Sequence, residues 1–228
     1  MKISRIKLSF SNAYLVQDRR TILVDTGMPG EERKILQAAE KAGVKAGDIR
    51  LILHTHGHVD HAGSTAALAK LLDVPIAIHR GDEILLRSGR MNPLQPLRLE
   101  ARLIRPLVDK PFPPVAPDLL VDETTDLAEF GVQGRLLSTP GHTAGSISLL
   151  LPNGEAIVGD VMMGGYVGGN LLGTRPNYHY FADDLAAVRQ SIHTLLAAGV
   201  QTFHVGHGGP LARDAVTRLS NSDCRRQP

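Results

Sequence analysis

The chain has 228 residues, enough for one sizeable domain with a filled core. With 43% apolar residues, 21% charged residues and a net charge of only +2, it reads as a soluble globular protein. No Lys/Arg block marks a nucleic-acid track, no apolar run is long enough for a membrane span, and a single cysteine excludes an intrachain disulfide. The charged N-terminus, Met1-Lys2-Ile3-Ser4-Arg5-Ile6-Lys7, lacks a signal-peptide apolar region, so the expected compartment is the cytoplasm.

The first elements read as a meander. Residues 2–10, 13–17 and 21–25 alternate or run apolar, interrupted by Ser11-Asn12 and Asp18-Arg19-Arg20, and predict three short strands. The third ends on Leu23-Val24-Asp25-Thr26-Gly27, where Asp25 is by itself an ordinary turn residue. Residues 30–43 predict a helix with an acidic first turn and a glycine stop. Ile49-Arg50-Leu51-Ile52-Leu53 predicts a buried strand, and Ala66–Leu72 the helix that follows.

Between that strand and helix lies His54-Thr55-His56-Gly57-His58-Val59-Asp60-His61-Ala62-Gly63. Imidazole nitrogens and a carboxylate at this density are donors for Zn²⁺ and related metals. A lone histidine is ordinarily a hydrogen-bonded structural residue, but an ordered His-x-His-x-Asp-His run on a strand-to-helix loop is metal-ligand spacing. His56 and His58 alternate and so point to one side of an extended loop, whereas Asp60 and His61 are aimed differently, as two neighbouring metals require.

A strand at 75–78 and a short helix near 81–87 come next. The composition then changes: seven of the chain's 14 prolines fall between Pro93 and Pro117. Residues 88–119 read as an insertion, with a helix fitting Leu97 to Ile104, that forms a lid or a homodimer contact. Strands are expected at about 126–130, 133–138, 146–151 and 155–158. Two of them bracket Thr139-Pro140-Gly141-His142-Thr143-Ala144-Gly145-Ser146, and the last ends on Gly159-Asp160. The stretch Gly164–Asn170 lacks the Lys-Ser/Thr ending of a phosphate-binding loop and reads as a mobile loop beside the site. Residues 183–198 predict an amphipathic helix, and strand 202–205 leads to Gly206-His207-Gly208-Gly209-Pro210. His54, His79, His193 and His204 are left as structural residues, and 221–228 as a polar tail behind a single domain spanning 1–220.

The His56-x-His58-x-Asp60-His61 motif, with Pro140-Gly141-His142-Thr143-x-Gly145-Ser146, Gly159-Asp160 and His207, resembles the metallo-β-lactamase-fold hydrolase superfamily, which includes glyoxalase II and lactonases. The resemblance implies an α/β protein, a four-layer αββα sandwich, with Asp25 orienting the metal loop through hydrogen bonds. It places His56, His58 and His142 on one metal and Asp60, His61 and His207 on a second, with Asp160 bridging. Zinc is the expected metal, with iron or manganese as alternatives. A water between two cations about 3.5–4 Å apart becomes a nucleophile near neutral pH, and Asp60 helps to direct it. Tyr166, Tyr178 and His179 are the candidates for a leaving-group acid.

The expected function is therefore hydrolysis of an ester, lactone, thioester or amide in a small molecule. An iron oxidoreductase of the same fold, similar to persulfide dioxygenases, is the alternative, and a phosphodiesterase or nuclease fits less well. The residues after Asp160 do not closely follow the glyoxalase II or dioxygenase pattern, and only 21 residues follow His207, too few for the helical substrate domain of glyoxalase II.

Overall fold

Short apolar runs separated by turns build two sheets in succession. The computed structural model describes residues 1–224. The first half contains β1 (Lys2–Lys7), β2 (Asn12–Gln17), β3 (Thr21–Val24), α1 (Glu32–Lys41), β4 (Ile49–Leu53), α2 (Val59–Ala62), α3 (Thr65–Leu72), β5 (Ile76–His79), α4 (Glu83–Ser88), α5 (Leu99–Val108) and β6 (Leu119–Val121). Its six strands lie in chain order in one sheet. The meander β1-β2-β3 is antiparallel, and β3 through β6 run parallel.

The second half contains β7 (Arg135–Ser138), β8 (Ile147–Leu150), β9 (Glu155–Gly159), β10 (Met163–Tyr166), β11 (Leu171–Asn177), α6 (Leu185–Ala197), β12 (Thr202–Val205), β13 (Leu211–Ala212) and α7 (Arg213–Cys224). Five strands form a sheet in the order β13-β12-β9-β8-β7, and β10 and β11 form a separate ribbon. Because β8 is antiparallel to both β7 and β9 while β9 and β12 are parallel, the chain leaves β7, β9 and β12 at the same edge.

Strand periodicity sorts the core into layers. Tyr14, Val16, Ile22, Val24, Leu51 and Leu53 face the second sheet, where Leu136, Leu149 and Ile157 meet them. The alternate residues Leu15, Leu23 and Ile52 face outward and are covered by Ile35 and Ala39 of α1 and Leu68 of α3. On the other side, Val158, Phe203 and Val205 are covered by Val188, Ile192 and Leu195 of α6 and Val216 of α7. The result is the αββα arrangement, each buried Leu, Ile or Val contributing about 1.5–3 kcal/mol by leaving water.

Several local expectations are corrected. Residues 127–130 form a 3₁₀ turn instead of a strand, because the Asp126 carboxylate accepts the Ala128 N–H and opens a helical turn that Gly131, at φ 77°, ends. The first strand stops at Lys7, where Leu8 N–H turns to Ser11 O. The helix expected from Leu97 begins at Leu99, since Arg98 is extended (φ −141°, ψ 160°) and Leu97 N–H donates to Tyr180 O. The expected glycine loop at 164–170 is in part ribbon: Gly164–Tyr166 belong to β10, where Met163 pairs with Asn177 and Tyr166 with Leu171 around a bulge at Gly165, and 167–170 are the turn into β11. The tail expected from 221 is helical to Cys224, and its remainder lies outside the described residues. Among the described residues, no helix is long and apolar enough to cross a membrane.

Candidate metal centre

The site lies where both sheets release their chain at one edge, as open α/β sheets place their sites at strand carboxyl ends. The loop after β4 carries His56, His58, Asp60 and His61, the last two in the single turn of α2. The loop after β7 carries His142, that after β9 carries Asp160, and that after β12 carries His207. All seven residues anticipated as metal ligands converge. His56, His58 and His142 form one group, and Asp60, His61, Asp160 and His207 another, with donor atoms within 4.8 Å of one another in each.

Asp160 occupies the middle. Its Oδ2 lies 3.1 Å from His207 Nε2, 3.4 Å from His61 Nε2, 3.6 Å from His142 Nε2 and 3.9 Å from His56 Nε2, so one oxygen reaches both groups. Gly206 makes this possible: a Cβ there would stand 2.0 Å from Asp160 Oδ1.

Hydrogen bonds behind the donors fix which nitrogen faces inward. His61 Nδ1 donates to Asp25 Oδ2 (2.8 Å), His142 Nδ1 to Phe181 O (2.9 Å) and His207 Nδ1 to Phe10 O (2.8 Å), each leaving Nε2 toward the centre. His58 differs by presenting Nδ1, 3.0 Å from His142 Nε2. Asp25 also accepts from Thr55 N–H (2.9 Å) and Thr55 Oγ1–H (2.7 Å), clamping the loop as expected of it. It does so from φ 61°, a left-handed conformation that Asp tolerates better than most residues and that concentrates at functional sites.

The electrostatics divide the donors. Burial holds His56 well below the ordinary imidazole value, His58 at about 4 and His142 at about 3. Burial also opposes charge on His61 and His207, but the carboxylates beside them win: Asp160, Asp60 and Asp25 hold His61 well above the ordinary value, and Asp160 and Asp60 push His207 up to about 10. Burial resists ionisation of Asp160 and Asp60 as well, yet the surrounding imidazoles keep both below the usual carboxylate range.

The residues fit a metal. His56 Nε2, His61 Nε2 and Asp160 Oδ1 are buried without a hydrogen-bond partner, an expensive arrangement for polar atoms unless a cation satisfies them. The imidazole and carboxylate set suits zinc or iron.

Two residues in other roles complete the surroundings. His179 Nε2 lies 3.3 Å from Asp160 Oδ2, and its ring stands edge-on to His142 at 4.6 Å. Of the three acid candidates it is the one at the centre; burial holds it at about 3, so at neutral pH it is uncharged. Tyr166 and Tyr178 instead line a separate groove with Arg175 and Arg189. Asp82 was not anticipated. It is buried and accepts from Gly57 N–H (2.9 Å), Thr143 Oγ1–H (2.8 Å) and Gly145 N–H (2.8 Å), tying the His56–His58 loop to the His142 loop. Burial raises its pKa against those three hydrogen bonds.

The leftover histidines are structural, as expected. His54 bonds Thr65 Oγ1 (3.0 Å), His79 accepts Gly81 N–H (3.2 Å), His193 lies beside Ser220 Oγ (3.3 Å) and His204 bonds Glu155 Oε2 (3.0 Å).

The model of the metallo-beta-lactamase superfamily matches residues 6–207, most of the chain and every one of these donors. The chain belongs to this superfamily. Superfamily relatives include a "probable metallo-hydrolase" of Methanocaldococcus jannaschii, 29% identical over 87% of each chain. Another is the "probable metallo-hydrolase YflN" of Bacillus subtilis, 26% identical over 95% of this chain and 89% of the relative. Among solved structures, TTHA1623 in a di-iron-bound form is 27% identical, covers 91% of this chain and 92% of its own, and superposes with a TM-score of 0.66. The BLEG-1 B3 metallo-beta-lactamase shares the fold at a TM-score of 0.69, with 19% identity, 95% of this chain and 97% of its own covered. By homology the chain is a probable metallo-hydrolase with a buried His/Asp metal-binding cluster.

Proposed function

We propose that the chain is a dinuclear metal-dependent hydrolase that cleaves an ester, lactone, thioester or amide bond in a small molecule. The observation that carries this reading is the position of Asp160 Oδ2, within reach of imidazoles from both groups of donors. The donors are imidazoles and carboxylates without a thiolate, unlike the cysteine-rich sets of structural zinc sites. His56, His58 and His142 would hold one cation, Asp60, His61 and His207 the other, and Asp160 both. Cations held there lower the pKa of a water and polarise a carbonyl oxygen.

The chain's own groups supply orientation and proton acceptance. Asp60 is the donor carboxylate with a partly exposed side chain, and it borders the adjoining cavity. There it would accept a hydrogen bond from an attacking water and direct it. His179 borders the same cavity as a neutral imidazole and is positioned to contact the bound carbonyl or leaving group. Zinc is the expected metal.

Because Asp160 is shared, Asp160→Ala should lower the content of both metals, measured by elemental analysis, and abolish turnover of a panel of lactones, esters and thioesters. Retention of both metal content and turnover would remove the basis of the proposal. The second reading, an iron-dependent oxidoreductase, is favoured by the di-iron form of TTHA1623. Iron at one per chain with oxygen uptake on persulfides would select it.

A further inference from the structure

A cavity of about 320 Å³ opens directly in front of the donor cage, bordered by His58, Asp60, Asp160, His179 and His207. That volume lies within the range of small-molecule sites, roughly 300–1,000 Å³. Away from the cage its surface is almost wholly apolar. Its lining includes Met91, Leu94, Ile104 and Val108 of the proline-rich insertion, with Phe181, and Phe10, Met28 and Met163 from elsewhere in the chain.

The insertion wall is a built structure. Leu94, Ala101 and Phe181 form a small core of their own, with Met91, Ile104 and Tyr180 packed on it. It is fastened to the segment that carries His179: Leu97 N–H donates to Tyr180 O (2.9 Å), Ala182 N–H to Gln95 O (3.2 Å) and Arg98 Nη2 to Asn177 Oδ1 (2.5 Å).

Away from the cage the cavity presents no cationic side chain. Beyond the cage carboxylates its lining holds Glu100 and no Lys or Arg. Arg98, 4.0 Å from the exposed Glu100 carboxylate through Nη1, is also held by Asn177 through Nη2, and the cations of a neighbouring groove that shares Phe10, Gly168 and His207 with the cavity are engaged as well. Arg5 Nη1 donates to Gly209 O (2.6 Å) and Gly208 O (3.1 Å), and Lys7 Nζ to Asn170 Oδ1 (3.1 Å). A distal carboxylate on a substrate would therefore lose its water without gaining a partner, and would face Glu100.

We infer that the substrate is an uncharged acyl compound whose aliphatic chain lies in this cavity against the insertion, and that acyl groups ending in a carboxylate are discriminated against. The inference rests on the hydrolase reading. In the reaction, water oxygen bonds to the acyl carbon, the bond from that carbon to the leaving oxygen breaks, and a proton passes to the leaving oxygen, giving an acid and an alcohol.

The test uses the metal-loaded full chain and nitrophenyl esters of straight-chain acids from acetate to decanoate. The value of kcat/KM should rise roughly three- to fourfold per methylene while the chain is filling the cavity, then level off. An ester of equal length ending in a carboxylate should be at least tenfold poorer, and Glu100→Lys should narrow that ratio within a single preparation, which misfolding cannot imitate. A flat length profile, or preference for the carboxylate-ended ester, overturns the inference. Methyl alkyl ketones, which cannot be hydrolysed, separate the two readings by calorimetry. Affinity rising with ketone length while no ester is cleaved supports the cavity assignment and removes the hydrolase. Ester cleavage with a flat profile and no ketone binding removes the cavity assignment and keeps the hydrolase.

Discussion

His61 and His207 differ from the other imidazoles of the cage because carboxylates, not apolar groups, dominate their surroundings. In the metal-free chain both are imidazolium at neutral pH, His207 with a pKa of about 10 and His61 well above its ordinary value, whereas His56, His58 and His142 are neutral. A metal takes only the neutral nitrogen, so loading at pH 7 should release protons from both imidazoles, besides any given up by a metal-bound water. Calorimetric titration in two buffers of different ionisation heat measures this, and release of none would contradict the arrangement. The sign for stability follows. A raised folded-state pKa contributes stability that is fully present below the unfolded value of about 6.5 and is lost as pH rises through the folded value. The metal-free chain should thus weaken between neutral pH and about 10, the value held by His207, as thermal melts across that window will show.

Elements matter through the way they hand residues to the site. Asp82 sits in the short turn before α4 and binds two metal loops at once, so Asp82→Ala leaves buried N–H groups of Gly57 and Gly145 without an acceptor. Each such loss costs about 1–3 kcal/mol, and a domain of this size loses about 2–4 °C in Tm per kcal/mol. Metal affinity should fall with it, by about 10–100-fold as for other outer partners of ligands. Equal melting and equal metal binding in the variant would show that the clamp is idle. Asp82 was not legible in the sequence because an aspartate at the start of a helix looks like an ordinary cap, and its partners are 25 and 63 residues away. His179 was visible as a candidate but belongs to no motif, and the fastening to the insertion that places it is wholly tertiary. The His56–His61 run, by contrast, carries its ligand spacing within one loop, and His142, Asp160 and His207 each end a strand pattern that the sequence displays. The ribbon β10-β11 was hidden because glycines that permit its bulge and close approaches also imitate a loop; α7 was not anticipated, and only its last residues, 221–224, fall in the stretch read as a polar tail.

At the scale of the molecule, the donor set is divided between the two sheets: His56, His58, Asp60 and His61 come from the first, His142, Asp160 and His207 from the second. Cations bound there act across the interface that the central core forms, so they stabilise the native state against the unfolded chain by mass action, about 2.7 kcal/mol at a hundredfold excess over Kd. Stripping metal with a chelator should lower Tm, and readdition should restore it; identical melts with and without chelator would mean that the native state holds no metal. The fold class was readable at this scale because the His56–His61, His142, Asp160 and His207 motifs carry a family resemblance that implies it; strand and helix periodicity alone indicated only sheet layers covered by helices.

The proline-rich segment is pinched at its base as well as bonded to the 177–182 stretch. Phe112 N–H donates to Gly89 O (2.9 Å) and Val115 N–H to Leu86 O (2.9 Å), so the excursion is closed at its neck. Lengthening such a loop is entropically cheap, about 0.6 kcal/mol per doubling. Its exposed outer face is therefore open to grafting between homologous scaffolds, provided that Gln95, Leu97 and Arg98 keep their grip on Ala182, Tyr180 and Asn177.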